Sequence, residues 1–317
     1  MSTPAAPPPV FTMPALASDG GADPDADAGE LRPACVLVFN ANDPLAAGGL
    51  GADVVTLGSM GVHALPVVTG AWVRDSSAIH DHIAFDEAAV EEQARAVLED
   101  VAVQAFKLGF VGQVDNLGAA AREIGDYPGV PLVLHMPDLS WWDLRDIERY
   151  LDAATELVLP LTTVLTGSQG TLARWLLPDW SGDGLPGPRK IAQAAAAHGA
   201  AQGLVTGIAR DGGGFLDNVL ATSEAVRHQQ TVEWIDARFA GAGDTLAASL
   251  AALLATGQEP AEAAAGALAY LDRALMAGFA PGMGHHLPDR MFWAQAAEDD
   301  GEDPAASCES NLSPIPP

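Results

Sequence analysis

The stretch ACVLVFNANDPLAAGGLGADVVTLGSM, residues 34–60, determines the architecture of this chain. Its first six residues are apolar, which is typical of a strand buried on both faces. A turn rich in Gly and Ala follows, and the apolar residues then take helical spacing as far as Met60. A buried strand that leads directly into a helix is the repeating unit of α/β proteins with a parallel sheet.

Short β-rich runs and alanine-rich helical stretches alternate along the rest of the body. Further strands are predicted at residues 63–68, 105–108, 131–134 and 164–166, and helices at 87–99, 115–124, 141–154, 189–198, 245–256 and 260–276. Residues 203–206 and 215–220 flank an Asp-Gly-Gly-Gly turn, which predicts an antiparallel hairpin. We therefore predict a mostly parallel sheet with helices on both faces, and ligands bound beyond the carboxyl ends of its strands.

Charge and composition narrow the class of protein. The 317 residues include 15 basic and 42 acidic ones, a formal net charge of −27. Residues 1–30 and 298–317 are predicted to be disordered acidic or Pro-rich tails that flank one domain at 31–297. Such a charge repels nucleic acid and anionic lipid, so neither a nucleic acid nor a membrane is expected as a partner.

The two cysteines, Cys35 and Cys308, suggest neither a disulfide framework nor a metal site. Cys35 is expected to be a small buried residue in the first strand. The sequence has no signal-peptide pattern and no uninterrupted apolar run of membrane-spanning length. A cytoplasmic location is therefore expected.

The strongest local signal is GAGDT, residues 241–245, directly before an alanine-rich helix. Small residues there allow backbone N–H groups to point at an anion, and the helix dipole adds partial positive charge. The carboxylate of Asp244 is suited to accept a proton from an attacking hydroxyl during phosphoryl transfer. The same residues also form an ordinary capped helix start, so this stretch alone leaves both interpretations open.

Residues 42–53, NDPLAAGGLGAD, and 61–69, GVHALPVVT, resemble the N-terminal substrate region of hydroxymethylpyrimidine/phosphomethylpyrimidine kinases. Residues 107–110 and 131–134 fall where that family has comparable strand ends, and residues 281–286 are similar to its C-terminal segment. The resemblance runs from about Ala34 to Trp293, in the same order and at nearly the same spacing.

The resemblance implies a ribokinase-like three-layer α/β sandwich that uses ATP and Mg²⁺. The substrate would be 4-amino-5-hydroxymethyl-2-methylpyrimidine or its monophosphate, in thiamin biosynthesis. Asp244 takes the catalytic position, where these kinases commonly have Cys and related sugar kinases have Asp. The anion hole would comprise Gly241, Ala242 and Gly243. A homodimer is a possible assembly, since relatives of this architecture often dimerise.

The remaining site residues follow from the same resemblance. Asp53 would hydrogen-bond the amino and ring-nitrogen edge of the pyrimidine, and the other substrate-binding positions are Ala41, Arg74, Phe110 and His135. The ATP-binding positions are Ser168, Thr206 and Gly207. Further basic residues considered as candidates to approach ATP are Lys107, Arg174 and Arg210.

The chain also departs from the family. Residues 168–171, SQGT, replace the usual Asn-x-x-Glu, and Thr206 replaces a common Lys. Arg74 stands where a Gln touches substrate, and His135-Met136 replaces an Asp-Pro pair. Two alternatives therefore stay open: a kinase-derived pyrimidine-binding or regulatory protein, and a kinase for another acceptor such as pyridoxal or a sugar.

Overall fold

The computed structural model describes residues 32–294. The predicted tails, residues 31 and 295–297 of the predicted domain, and Cys308 lie outside the described residues. The elements below lie within residues 35–294.

A single nine-stranded sheet runs through these residues, in the order β3-β2-β1-β4-β5-β6-β7-β8-β9. The strands are β1 Cys35–Asn42, β2 His63–Arg74, β3 Ile79–Ala84, β4 Ala105–Leu108, β5 Leu132–His135, β6 Val164–Ser168, β7 Gln202–Ala209, β8 Phe215–Ala221 and β9 Val226–Glu233. The pairs from β2 to β7 are parallel. β3, β8 and β9 pair antiparallel at the two edges.

Helices cover both faces of the sheet. They are α1 Gly49–Ser59, α2 Glu87–Leu98, α3 Val114–Gly125, α4 Leu144–Ala153, α5 Gln169–Leu176, α6 Pro188–Ala197, α7 Ala242–Ala255 and α8 Pro260–Met276. A hydrophobic core lies on each face of the sheet, and successive residues of β1 pack alternately in one core and the other. Leu37 and Phe39 pack in the core with α2 to α6, whereas Val36 and Val38 pack in the core with α1, α7 and α8. This is the predicted three-layer arrangement.

The central strands and the hairpin of β7 and β8 agree with the sequence prediction, but several elements differ. β3 and β9 were not predicted, because both are edge strands with largely exposed or half-exposed side chains. α5 was also missed. α4 begins at Leu144 rather than at residue 141, because the Asp143 side chain caps it by accepting a hydrogen bond from the Arg145 N–H. Cys35 is partly exposed rather than buried, since it is the first residue of β1.

Candidate active site

The carboxyl ends of the parallel strands open into a cleft of about 620 Å³. Its walls come from the ends of β2, β5, β6 and β7, from the start of α7, and from the loops around residues 77 and 285. Trp72 and Trp141 supply aromatic surface on one side. Phe110 lies behind both indoles, with ring centroids 6.2 Å and 5.4 Å away, and supports that wall.

Asp244 lies in the first turn of α7 and lines the cleft. Its Oδ1 accepts hydrogen bonds from Lys107 Nζ at 2.6 Å and from Asn40 Nδ2 at 3.0 Å. Its Oδ2 accepts a bond from the Gly49 N–H at 2.9 Å. The residue is only 6% exposed. Three donors from separate segments therefore fix both carboxylate oxygens in one orientation.

A buried ion-pair network lies beneath Asp244. Lys107 Nζ is 2.9 Å from each carboxylate oxygen of Asp53, and the side chains of Lys107 and Asp53 are fully buried. Asn40 Nδ2 donates to Asp53 Oδ2 at 2.8 Å as well as to Asp244. One buried ammonium thus faces two carboxylates, of which Asp53 is fully buried and Asp244 lines the cleft. An unpaired ammonium is costly at a buried position, so Lys107 depends on the presence of these carboxylates.

The network shifts the pKa values of its members in different directions. Burial raises the pKa of Asp53 to about 6, although the Lys107 charge opposes this shift. Burial also raises the pKa of Asp244, but the charge of Lys107 and the hydrogen bonds outweigh it, so the net pKa lies well below the usual value. The pKa of Lys107 is raised, because the two carboxylates outweigh its burial. Asp244 is therefore ionised at neutral pH.

The start of α7 offers backbone donors to the cleft. Gly241 is the N-cap with φ +80°, and no side chain caps this helix. A Cβ at Gly241 would lie 1.4 Å from the Ala47 carbonyl oxygen, so only glycine fits there. The N–H groups of the first helical residues, Ala242 and Gly243 among them, have no partner within the helix. Backbone N–H groups without a partner at the start of a helix are able to bind an anion such as phosphate.

His135 lies against this helix start. A Cβ at Gly243 would lie 2.3 Å from His135 Cε1, so the absence of a side chain lets the imidazole pack on the backbone. Nδ1 of the ring is 3.3 Å from Thr166 Oγ1. Burial lowers the pKa of His135 to about 4, which leaves the ring neutral at pH 7. His135 can act as a neutral hydrogen-bonding group in the cleft.

Arg290 links the two segments that hold Asp244. Its Nε donates to Thr245 Oγ1 at 3.0 Å, and Nη1 and Nη2 donate to the carbonyls of Ala46 at 3.1 Å and Ala47 at 2.5 Å. The residue is 6% exposed. The guanidinium thus ties the loop before Gly48 to the first turn of α7.

Most of the predicted site residues meet in the cleft. Those that line it are Asp244, Gly241, Ala242, Gly243, Arg74, His135, Ser168 and Thr206. Gly207 does not line it, and its N–H instead donates to Asn218 Oδ1 at 3.1 Å. Of the three further cations, Arg174 lies on the surface near Asp138, Arg210 lies on the surface near Asp217, and Lys107 is enclosed.

Three predicted substrate contacts lie behind the cleft wall, which corrects their expected role. Asp53 is 0% exposed and turns to Lys107 and Asn40, so it is not available to a bound ring. Ala41 is 2% exposed, and Phe110 is 1% exposed within the aromatic cluster. All three are buried behind the residues that line the cleft. Asn40 and Arg290 were missed, although a single polar residue such as Asn40 within an apolar strand was a usable signal.

The sequence profile of a family described as phosphomethylpyrimidine kinase matches residues 43–289. The chain belongs to this family. The matched region begins in the loop after β1 and ends one residue before Arg290, and it contains every residue that lines the cleft. The family membership predicted from residues 42–53 and 61–69 is confirmed.

Individual relatives agree with this membership. The hydroxymethylpyrimidine/phosphomethylpyrimidine kinase of Streptomyces coelicolor is 27% identical over 255 residues, which cover 80% of this chain and 93% of that protein. The thiamine biosynthesis multifunctional protein ThiED of Corynebacterium glutamicum is 29% identical over 250 residues, 76% of this chain and 31% of that protein.

Solved structures show the same fold. A pyridoxal kinase from Bacillus subtilis, solved as an ADP complex, superposes with a TM-score of 0.74 at 22% identity, over 83% of this chain and 99% of that chain. The ribokinase-like fold predicted from the sequence of this phosphomethylpyrimidine kinase family member is confirmed. Among residues 32–294, no helix is both long and apolar enough to cross a membrane.

Proposed function

We propose that the chain transfers the γ-phosphate of ATP to 4-amino-5-hydroxymethyl-2-methylpyrimidine or its monophosphate, in thiamin biosynthesis. The observation that carries the proposal is the position of Asp244, an ionised carboxylate beside the free amides at the start of α7. Family membership and the names of the relatives support the same activity.

ATP would supply the phosphoryl group, and the residues of the chain would align and stabilise the transfer. The amides of Ala242 and Gly243 would donate hydrogen bonds to the phosphoryl oxygens as charge develops on them. Asp244 would accept a hydrogen bond from the acceptor hydroxyl and take up its proton late in the transfer. Because the pKa of Asp244 is low, orientation of the hydroxyl is its main contribution before the new bond forms.

The cleft fits a nucleotide phosphate but has few groups for a metal. Glycine backbone and a helix start line it, as a phosphate requires. Among residues 32–294, no cluster of three His, Cys, Asp or Glu side chains could hold an ion. Mg²⁺ would therefore be held chiefly by the phosphate oxygens and water, as it often is in kinases. Ser168 and Thr206 would contact the nucleotide from the ends of β6 and β7.

The decisive experiment is an acceptor screen of the purified full chain with ATP and Mg²⁺. Hydroxymethylpyrimidine, its monophosphate and pyridoxal would be compared, and products identified by mass spectrometry. Formation of a pyrimidine phosphate at a rate that depends on Asp244 supports the proposal. Phosphorylation of pyridoxal alone, or of no acceptor, contradicts it.

One observation favours a second candidate, a pyrimidine-binding or regulatory protein. Among the described residues that line the cleft, Arg74 is the single Arg or Lys, so a triphosphate would find little charge to bind. Calorimetry with ATP and Mg²⁺ separates the two candidates, because a kinase requires measurable nucleotide affinity.

The proposed kinase would act in the cytoplasm, where ATP is available. It would also form a homodimer, and analytical sedimentation would test that assembly.

A further inference from the structure

Arg290 is a buried cation that forms its hydrogen bonds with uncharged oxygens. Its Nε donates to Thr245 Oγ1, and its two terminal nitrogens donate to the backbone carbonyls of Ala46 and Ala47. None of the ion pairs among residues 32–294 includes Arg290. Burial lowers the pKa of its guanidinium, yet an arginine stays protonated at neutral pH. A full positive charge is therefore held inside this part of the chain by dipoles rather than by a carboxylate.

The guanidinium lies behind the start of α7. A Cβ at Gly241 would be only 2.8 Å from Arg290 Nη2, so the guanidinium packs against the N-cap of the helix. Gly241 lines the cleft, whereas Arg290 does not. The positive charge thus reaches the cleft through its field and not through contact. It adds to the partial positive charge that the helix start already carries.

Asp244 and Arg290 are linked by charge although they form no ion pair in the described structure. After burial, which lowers the pKa of Arg290, the charge of Asp244 has the largest effect on that pKa and raises it. Lys107 contacts Asp244 and also Asp53, so two carboxylates share one ammonium. At neutral pH these four side chains carry two negative and two positive charges. Arg290 supplies the second positive charge and makes the group neutral.

Phosphoryl transfer would change this balance. The acceptor oxygen forms a bond to the γ-phosphorus, the bond from that phosphorus to ADP breaks, and its electron pair leaves with ADP. The hydroxyl proton passes to Asp244, which becomes neutral. The same four side chains then carry one net positive charge, next to the helix start where the phosphoryl oxygens lie. The positive charge is therefore least balanced during the transfer itself.

We infer that Arg290 supplies the positive charge that stabilises the transferring phosphoryl group, acting through the backbone of Gly241 rather than by touching the substrate. The inference rests on the proposed function and adds a residue to it. Because the charge is balanced by Asp244 until the proton moves, its effect falls on the transfer step more than on the binding of ATP. Arg290 thus does more than position the loop and the helix that it joins.

Arg290→Lys and Arg290→Gln separate the charge from the hydrogen bonds. Lysine keeps the charge but cannot reproduce the planar fork, whereas glutamine removes the charge. Urea denaturation should show both variants to be less stable than wild type. With hydroxymethylpyrimidine, ATP and Mg²⁺, we expect Arg290→Gln to lower kcat at least about tenfold and Arg290→Lys less than about threefold, with smaller changes in the KM for ATP. Arg227→Gln, on exposed β9, is the control and should keep the wild-type kcat.

A second measurement does not need turnover. Calorimetry compares ADP and Mg²⁺ with and without aluminium fluoride, an anion that stands in for the transferring phosphoryl group. The gain in affinity from aluminium fluoride should persist in Arg290→Lys and fall at least about tenfold in Arg290→Gln. If Arg290→Gln fails to fold, Arg290→Lys decides alone, because a tenfold loss of kcat despite the retained charge would contradict the inference.

Equal effects of the two substitutions on kcat and on aluminium fluoride binding would overturn the inference, because geometry rather than charge would then explain the role of Arg290. Charge-dependent binding of aluminium fluoride without phosphorylation of any acceptor would leave the inference intact and reject the proposed reaction. Phosphorylation of the pyrimidine at the same rate in wild type and both variants would do the reverse.

Discussion

Lys107 Nζ lies 2.6 Å from Asp244 Oδ1, and this ammonium is fully buried. The contact joins the middle of the sheet to the carboxylate at the start of α7. Because Lys107 also contacts Asp53, removal of Asp244 would leave a neutral buried pair rather than an isolated charge. The chain can therefore lose its candidate catalytic group and keep its fold, which makes that group open to direct test.

Asp244→Asn is expected to lower kcat by about 10²–10⁴, because the amide cannot take the hydroxyl proton and carries no charge. Circular dichroism and the melting temperature should stay close to wild type. Asp126→Asn, an exposed residue at the C-terminal end of α3, is the control and should keep full activity. Turnover of the Asp244 variant at the wild-type rate would remove Asp244 from the mechanism.

Lys107→Met is expected to lower the free energy of unfolding by about 3–5 kcal/mol, because it leaves two carboxylates buried without a cation. Lys190→Met is a matched control, since Lys190 is exposed on α6 and is the other lysine of the chain. Urea denaturation compares the two. A loss as small in the Lys107 variant as in the control would mean that the network adds little to stability.

The raised pKa of Asp53, about 6, predicts how stability changes with pH. The folded state binds this proton more tightly than the unfolded state, so the free energy of unfolding falls as pH rises through this range. Asp53→Asn removes this pH-dependent contribution to the free energy of unfolding. The stability of the variant relative to wild type should therefore rise by on the order of 2–3 kcal/mol between about pH 4 and about pH 7.

Urea denaturation at several pH values within that range gives the measurement. The range stays above the ordinary carboxyl pKa of 3.8, since the lowered pKa of Asp244 acts with opposite sign below it. A difference between variant and wild type that is constant with pH would show that Asp53 keeps an ordinary pKa.

Gly241→Ala is expected to abolish phosphoryl transfer and to destabilise the chain strongly, since its Cβ would collide with the Ala47 carbonyl. Gly257 follows the other end of α7 with a similar φ of +85°, but a Cβ there meets no atom within 4 Å. Gly257→Ala thus measures the cost of the backbone conformation alone, on the order of 1 kcal/mol. Similar melting temperatures for the two variants would argue against the collision.

Arg290→Gln is expected to lower the free energy of unfolding by about 2–4 kcal/mol, because it leaves the carbonyls of Ala46 and Ala47 without their hydrogen-bond donors. The same change is expected to lower kcat at least about tenfold. KM should change less, since Arg290 holds Asp244 in place and does not line the cleft. Arg227→Gln, on the exposed edge strand β9, is the control. A loss of stability with an unchanged kcat would limit Arg290 to a structural role.

The central strands, α7 and α8 were predictable because buried apolar runs and alanine-rich periods are properties of the local sequence. The edge strands β3 and β9 were not, since their pairing depends on neighbours rather than on an apolar pattern. The same limit applies to the site. The carboxylate of Asp53 was expected to bind a ligand, yet it forms an ion pair with Lys107, which lies 54 positions later in the chain. Sequence order carries no sign of that pairing.

The enclosure of Lys107 has a practical consequence for chemical probes of this protein. With Lys190 on the surface, the two side-chain amines differ completely in access to reagents. Acylating reagents should modify Lys190 at once and reach Lys107 only when the sheet opens. The rate at which mass spectrometry detects modification of the Lys107 peptide therefore reports the rate of global unfolding. Affinity labels that rely on an amine near the nucleotide phosphates would find none among the described residues of the cleft, and inhibitors must use other groups.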